Sequence, residues 1–174
     1  MMRGSFKIGI TIGLLATLFI SPTINGQLSQ APPEEVARYT LKLAGLEKRI
    51  SSLGDVSIYV MNSKSMGDLF ISKKSEKIGK SQLSTVMVSD DVPGFKVTIL
   101  FIGAEANVEA AIAYARNNKV MTVTSLPELV ERGITLGVGV DDTGKMQVLL
   151  NMTASKAEGL DWSPAIMKIA KVIQ

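Results

Sequence analysis

The chain has 174 residues, of which 46% are hydrophobic and 20% are charged. That balance excludes a disordered chain and suffices for one domain with its own core. The formal charge is +3, but Arg3 and Lys7 lie in the leader described below, and without them 17 of the 19 basic residues face 16 acidic ones. Because the charge is nearly balanced and no basic patch is interleaved with aromatic residues, a nucleic-acid partner is disfavoured.

Cysteine and histidine are both absent from the sequence. Disulfides, thiolate nucleophiles, Ser-His-Asp triads and Cys/His zinc sites are therefore excluded within one chain. An enzyme would have to act through Lys, Asp, Glu, Ser or Tyr, and nothing in their spacing singles out a set. The sequence predicts no catalytic residue, no metal and no cofactor, and it favours binding over catalysis.

Residues 1–26 are typical of a secretory signal peptide. Two basic residues precede a 13-residue apolar core, Ile8–Ile20, and a short polar segment follows up to Gly26. The core is short against the roughly 20 residues that span a bilayer, so cleavage near Gly26 is favoured over an uncleaved anchor. We expect the mature chain to be exported to the periplasm and soluble there.

Residues 27–54 form a polar tail and a first helix. Pro33 suits the first helical turn, and two glutamates follow it. Apolar residues recur at helical spacing at Val36, Tyr39, Leu43, Leu46 and Ile50. Such a stripe is typical of a helix docked on its own sheet, although a partner or dimer helix is the alternative.

Residues 55–174 alternate between strand and helix patterns. Strands are expected at 56–62, 83–88, 95–102 and 120–124, and helices at 63–72 and 106–117. A basic connector, residues 73–80, separates the first helix from the second strand. The sequence therefore predicts a single-domain α/β fold, a mixed sheet of about six strands with helices on both faces.

The last third continues with a hairpin and a helix. Two strand patterns, 134–140 and 145–151, are joined by Asp141–Gly144, a sequence suited to a tight turn. The glycine and lysine spacing there is like that of a phosphate-binding loop, but the residues that follow alternate as a strand, so the turn is structural. Ser163 and Pro164 favour the start of a terminal helix with its stripe at 166, 169, 170 and 173.

The same residues carry a family resemblance. The run Val120–Ser125, a glycine before an apolar strand, the hairpin, a strand ending in Asn151 and the Ser-capped terminal segment resemble the C-terminal half of the YfiR/HmsC-like periplasmic proteins. The resemblance covers about residues 55–174. Members of that family bind the periplasmic sensor domain of an inner-membrane diguanylate cyclase and lower cyclic di-GMP signalling and biofilm formation. The resemblance implies that partner here, and a homodimer is left open.

This chain also departs from the family. Better-known relatives carry cysteines whose disulfides respond to redox conditions, whereas this sequence has none. Redox sensing is therefore not transferred to it. The segment before the first strand also lacks an aromatic-rich helix that ends in Trp-Pro.

A small-molecule or cell-wall-fragment binding module is the alternative function. Open α/β sheets bind ligands beyond the carboxyl ends of their strands. Four residues lie just past apolar runs and are candidates for ligand or partner contacts: Asn62, Ser63, Gly103 and Ser125. Trp162, the only tryptophan, is a fifth candidate, because tryptophan is common at binding hot spots.

Overall fold

The computed structural model describes residues 28–173, and the expected signal peptide lies outside them. Nine strands are formed: β1 (Ser29–Gln30), β2 (Asp55–Met61), β3 (Lys77–Ile78), β4 (Ser81–Ser89), β5 (Ile99–Ile102), β6 (Met121–Thr124), β7 (Leu136–Val140), β8 (Met146–Asn151) and β9 (Ala170–Ile173). The helices are α1 (Pro33–Ala44), α2 (Lys64–Ser72), α3 (Val108–Asn118), α4 (Glu128–Glu131) and α5 (Met152–Ala157). Two short 3-10 turns add Ile50–Ser52 and Pro164–Lys168.

All nine strands belong to one sheet, in the order β3-β4-β2-β5-β6-β7-β8-β9, with β1 paired to β7. The central strands β4, β2, β5, β6 and β7 are parallel, whereas β8 runs antiparallel to β7. A mixed α/β sheet is therefore confirmed. The structure has three strands more than the expected six. The sequence did not predict β1 and β3, which have only two residues each, and it predicted a helix where β9 forms.

The sheet is covered on both faces, as predicted. One core cluster joins α1 and α2 to the inward side chains of β2, β5, β6, β7 and β8. The other joins α3 and α4 to the opposite face, through residues such as Tyr59, Leu100 and Ile112. Alternate residues of each central strand therefore enter different cores, which explains why Ile99–Ile102 is buried throughout.

Helix α1 packs on its own sheet through the predicted stripe. Val36, Leu43 and Ile50 are fully buried in the first core. The helix ends at Ala44, and Ile50 reaches the same core from the following 3-10 turn. These positions agree with the interpretation of the stripe as the face of a helix that docks on its own sheet.

The predicted terminal helix is wrong. Pro164 does start a helical turn, with Ser163 as its cap, but that turn ends at Lys168 and β9 follows it. β9 lies parallel to β8, and the half-buried Ala170 and Val172 pack on the first core. A short apolar run fits a period of two as well as 3.6, and pairing with the otherwise open edge of β8 decides between them.

The strand predicted over residues 95–102 is also shorter than expected. Only Ile99–Ile102 pairs with β2. Ahead of it, Thr98 bonds through its side chain and its N–H to Ser57, and Phe95 lies at the surface with 53% of its area exposed. In the sheet, β2 lies between β4 and β5, so the chain that leaves β4 must pass over β2 before β5 can begin. Residues 95–98 belong to this connection.

Candidate functional site

Polar residues collect at the carboxyl edge of the parallel strands. β4, β2, β5 and β6 are parallel neighbours, so their last residues meet at one edge. Ser89 closes β4, Asn62 follows β2, Gly103 follows β5 and Ser125 follows β6. This is the edge at which open α/β sheets bind ligands, and it brings four of the five candidate residues into one region.

Asn62 and Gly103 are in direct backbone contact. The N–H of Asn62 donates to the carbonyl of Ser89 at 3.1 Å, and the N–H of Gly103 donates to the carbonyl of Met61 at 2.9 Å. A Cβ on Gly103 would lie 2.3 Å from the carbonyl oxygen of Asn62, so only glycine fits. Asn62 itself adopts a left-handed conformation, with φ of 51°, which asparagine tolerates better than most residues.

The Oδ1 atom of Asn62 is buried and accepts no hydrogen bond within residues 28–173. Buried polar atoms are almost always paired, and leaving one unpaired costs on the order of 1–3 kcal/mol. An unpaired acceptor at the carboxyl edge of the sheet is therefore a feature that a hydrogen-bond donor from a bound molecule would satisfy.

The two serines differ in their surroundings. Ser63 precedes α2, but its side chain makes no capping bond, and it remains half-buried at the edge. Ser125 is 6% exposed, and its hydroxyl accepts a bond from Nε2 of Gln30 at 2.9 Å. Ser125 thus ties β1 to the end of β6, while Ser63 remains available for a contact.

Trp162 lies away from these four residues. Its backbone pairs with Glu47, and its Nε1 donates to the hydroxyl of Ser155 at 2.7 Å. The side chain is half-buried against the first core. Trp162 therefore connects the chain after α1 to α5 and is not part of the carboxyl edge.

A buried carboxyl at the opposite edge of the sheet was missed by sequence reasoning. Glu158 follows α5 and is fully buried. Its Oε2 accepts the N–H of Thr122 at 3.0 Å and the hydroxyl of Thr135 at 2.6 Å, and its Oε1 accepts the hydroxyl of Thr122 at 2.5 Å. The hydroxyl of Thr122 in turn accepts the N–H of Thr135 at 2.8 Å. The sequence signal for this cluster was a threonine within each of two apolar runs, Thr122 in 120–124 and Thr135 in 134–140.

Burial raises the pKa of Glu158 from its ordinary value of 4.5 to about 7. The hydrogen bonds from Thr122 and Thr135, and the positive charge of Arg116, act in the opposite direction but do not cancel that penalty. Glu158 is thus a carboxyl that changes its protonation state near neutral pH.

Glu47 is the second fully buried acid, and its role is structural. Its Oε2 accepts the N–H of Ile50 at 2.6 Å and its Oε1 accepts the N–H of Asp161 at 2.9 Å. These two bonds hold the turn after α1 against the segment after α5. Residues 28–173 contain no group of three or more acidic side chains placed to hold a metal ion.

The described residues thus form one α/β sheet that carries polar residues at the carboxyl edge of its parallel strands. The family comparison is more specific: the YfiR/HmsC-like family model matches residues 36–171. The chain therefore belongs to the YfiR/HmsC-like family, whose members are known in general as periplasmic regulators. Within residues 28–173, no helix has the length and apolar character needed to cross a membrane.

A solved structure shares the fold. It is the crystal structure of a conserved domain protein from Vibrio cholerae, which superposes with a TM-score of 0.53 at 14% sequence identity. The match covers 84% of this chain and 61% of that chain, so this chain spans about three fifths of its length. No curated protein sequence matches the chain.

Proposed function

We propose that this protein is an exported, non-catalytic regulator that binds the periplasmic sensor domain of an inner-membrane diguanylate cyclase and keeps that enzyme inactive. The observation that carries the proposal is the family match over residues 36–171. Three further observations agree with it: a leader typical of export, the lack of Cys and His, and a nearly balanced charge.

Regulation in this proposal acts through occupancy. The bound protein favours the inactive conformation of the cyclase, and release permits synthesis of cyclic di-GMP. The regulator shifts that equilibrium only as far as its affinities for the two conformations differ. A roughly hundredfold difference in affinity corresponds to about 2.7 kcal/mol.

The test is a cross-linking pull-down with residues 27–174 as bait in membranes from the source of the protein, combined with deletion of the chain. We expect recovery of a transmembrane protein that carries a cytoplasmic diguanylate cyclase domain, and we expect cyclic di-GMP to rise on deletion. If no such protein is recovered and cyclic di-GMP is unchanged under every envelope stress tried, the proposal fails.

A small-molecule binding site is the second candidate function, favoured by the unpaired buried Oδ1 of Asn62. A ligand with a hydrogen-bond donor, such as an amide or hydroxyl of a cell-wall fragment, would pair that oxygen beside Gly103. Such a ligand raises the free energy of unfolding by RT ln(1 + L/Kd), where L is the free ligand concentration, so the stabilisation grows with the logarithm of that concentration once the site is nearly saturated.

Thermal-shift screening of envelope metabolites tests this second function. Asn62→Gly removes the amide but suits the left-handed backbone, so it should fold and lose the stabilisation by ligand. Ser75→Gly is the matched control, because Ser75 is exposed and also has a positive φ, of 74°. A ligand that stabilises the Asn62→Gly variant as much as the parent does not bind at this oxygen.

A further inference from the structure

The outer side of β4 is an open sheet edge over most of its length. β2 pairs with β4 from Gln82 to Ser89. On the other side, β3 pairs only with Ser81 and Gln82. The two residues just before β3, Ser75 and Glu76, form backbone hydrogen bonds only with Leu83 of β4. No strand within residues 28–173 pairs with residues 84–89 on that side.

The backbone groups that face outward can be assigned. The carbonyl of Ser89 accepts the N–H of Asn62, so Ser89 directs its backbone groups toward β2. The register is regular from Thr85 to Ser89, and backbone groups of a strand alternate in direction. Val86 and Val88 therefore direct their N–H and C=O groups away from the sheet, available to another strand.

The register with β2 shifts at Ser84, but from Thr85 to Ser89 this edge lacks the usual protection against pairing. Residues 84–89, Ser-Thr-Val-Met-Val-Ser, contain no charge, proline or glycine. Apolar side chains flank the edge on one face, with Val88 40% exposed and Ile71 of α2 46% exposed. Natural proteins protect an exposed edge with charges, bulges or covering elements, so an unprotected one indicates a strand that is paired in the working protein.

The charges at the two ends of the edge indicate what pairs there. Beyond its carboxyl end lie the exposed Asp90 and Asp91. Beside its amino end lies the basic connector, residues 73–80, with four lysines against one glutamate. Of these lysines, Lys74, Lys77 and Lys80 are exposed and make no salt bridge within residues 28–173. An antiparallel second copy places its acidic end against this basic end, and the reverse contact forms at the same time.

We propose that β4 is the interface of a two-fold symmetric dimer, in which the two β4 strands join antiparallel into one continuous sheet. A two-fold axis through Met87 pairs Val86 of each copy with Val88 of the other. This register uses the outward groups of both valines and keeps equivalent sheet faces together. It also brings the two α2 helices to the same side of the seam, where Ile71 of each copy gains an apolar neighbour.

Sedimentation velocity of purified residues 27–174 tests the dimer, and it does not involve the cyclase, so its result leaves the proposed function unaffected. We expect twice the monomer mass. Val88→Pro removes one outward N–H without touching the ladder to β2, and should give a monomer. Val88→Thr keeps that N–H and the branched shape, and should remain a dimer. Thr85→Lys adds a protective charge at an exposed position and should also give a monomer.

Reversing the charges at the two ends of β4 tests whether the strand that pairs with β4 belongs to a second copy of this chain. Asp90→Lys with Asp91→Lys should weaken the dimer, and adding Lys74→Glu and Lys77→Glu in the same chain should restore it. Circular dichroism of each variant confirms folding. A monomeric parent chain, or a dimer that withstands Val88→Pro, Thr85→Lys and the charge reversal, overturns the proposal. So does slow amide exchange at Val86 and Val88 that arises only when a different protein is added.

Discussion

Replacement of Glu158 by glutamine should make the stability of the protein nearly independent of pH between 5 and 8. In the parent chain the raised pKa of this buried carboxyl, about 7 against an ordinary value of 4.5, links its protonation to folding. Below pH 4.5 the carboxyl is protonated in both the folded and the unfolded state, and its contribution to stability is fully present. As the pH rises through 7 that contribution is lost, because the unfolded chain ionises more readily than the buried site.

The expected size of the effect follows from the two pKa values. One pH unit corresponds to about 1.4 kcal/mol, so the parent should lose roughly 3 kcal/mol of unfolding free energy between pH 4.5 and 8. Few other groups disturb this window, since the chain has no histidine. The carboxyls whose pKa is lowered by hydrogen bonds, such as Glu109 with Arg132 and Asp141 with Thr143, affect stability only at more acidic pH.

Urea unfolding at pH 5, 6, 7 and 8 measures the effect. Glutamine keeps an acceptor for Thr122 and Thr135 and never ionises, so Glu158→Gln should match the parent near pH 5 and exceed it by about 2–3 kcal/mol at pH 8. Glu128→Gln, at an exposed position on α4, is the control and should follow the parent curve. A Glu158→Gln protein that loses stability with pH as steeply as the parent would refute the assignment of this transition to Glu158.

Two further substitutions test the close backbone contact at Gly103 and the two hydrogen bonds accepted by Glu47. Gly103→Ala should lower the unfolding free energy by about 1–3 kcal/mol, measured by urea unfolding, because its Cβ would lie 2.3 Å from the carbonyl oxygen of Asn62; an unchanged urea midpoint would contradict that close contact. Glu47→Ala should cost on the order of 2–5 kcal/mol, because the N–H groups of Ile50 and Asp161 lose their acceptor. Amide exchange should become faster at both residues, and unchanged exchange would contradict the role of Glu47.

Much of the fold could be predicted because its signals are local. The hairpin is an example: Gly144 has φ of 79°, and Oδ1 of Asp141 accepts the N–H groups of Thr143 and Lys145. Asn151 likewise caps α5 by accepting the N–H of Ala154. Such turns and caps depend on a few adjacent residues, so their sequence is sufficient to predict them.

The errors occur where distant parts of the chain decide the structure. Residues 170–173 form a strand because β8 offers an open edge to them, and no property of those four residues distinguishes that outcome from a helix. The short strands β1 and β3 are two-residue pairings that depend on the position of β7 and β4. Pairing partners far apart in sequence are set by the assembled sheet, which local periodicity does not describe.

The same distinction between local and long-range signals applies to the carboxyl edge of the parallel strands and to the opposite edge, where Glu158 lies. The residues of the carboxyl edge could be named from the sequence, because each follows an apolar run and parallel strands end together. Glu158 could not, because its neighbours Thr122 and Thr135 lie 36 and 23 residues away and are brought to it only by the path of α5. At the carboxyl edge the unpaired group is an uncharged amide oxygen, and at the opposite edge a paired carboxyl titrates near neutrality. A ligand at the proposed site would contact the carboxyl edge, whereas a change in pH acts on Glu158 at the opposite edge.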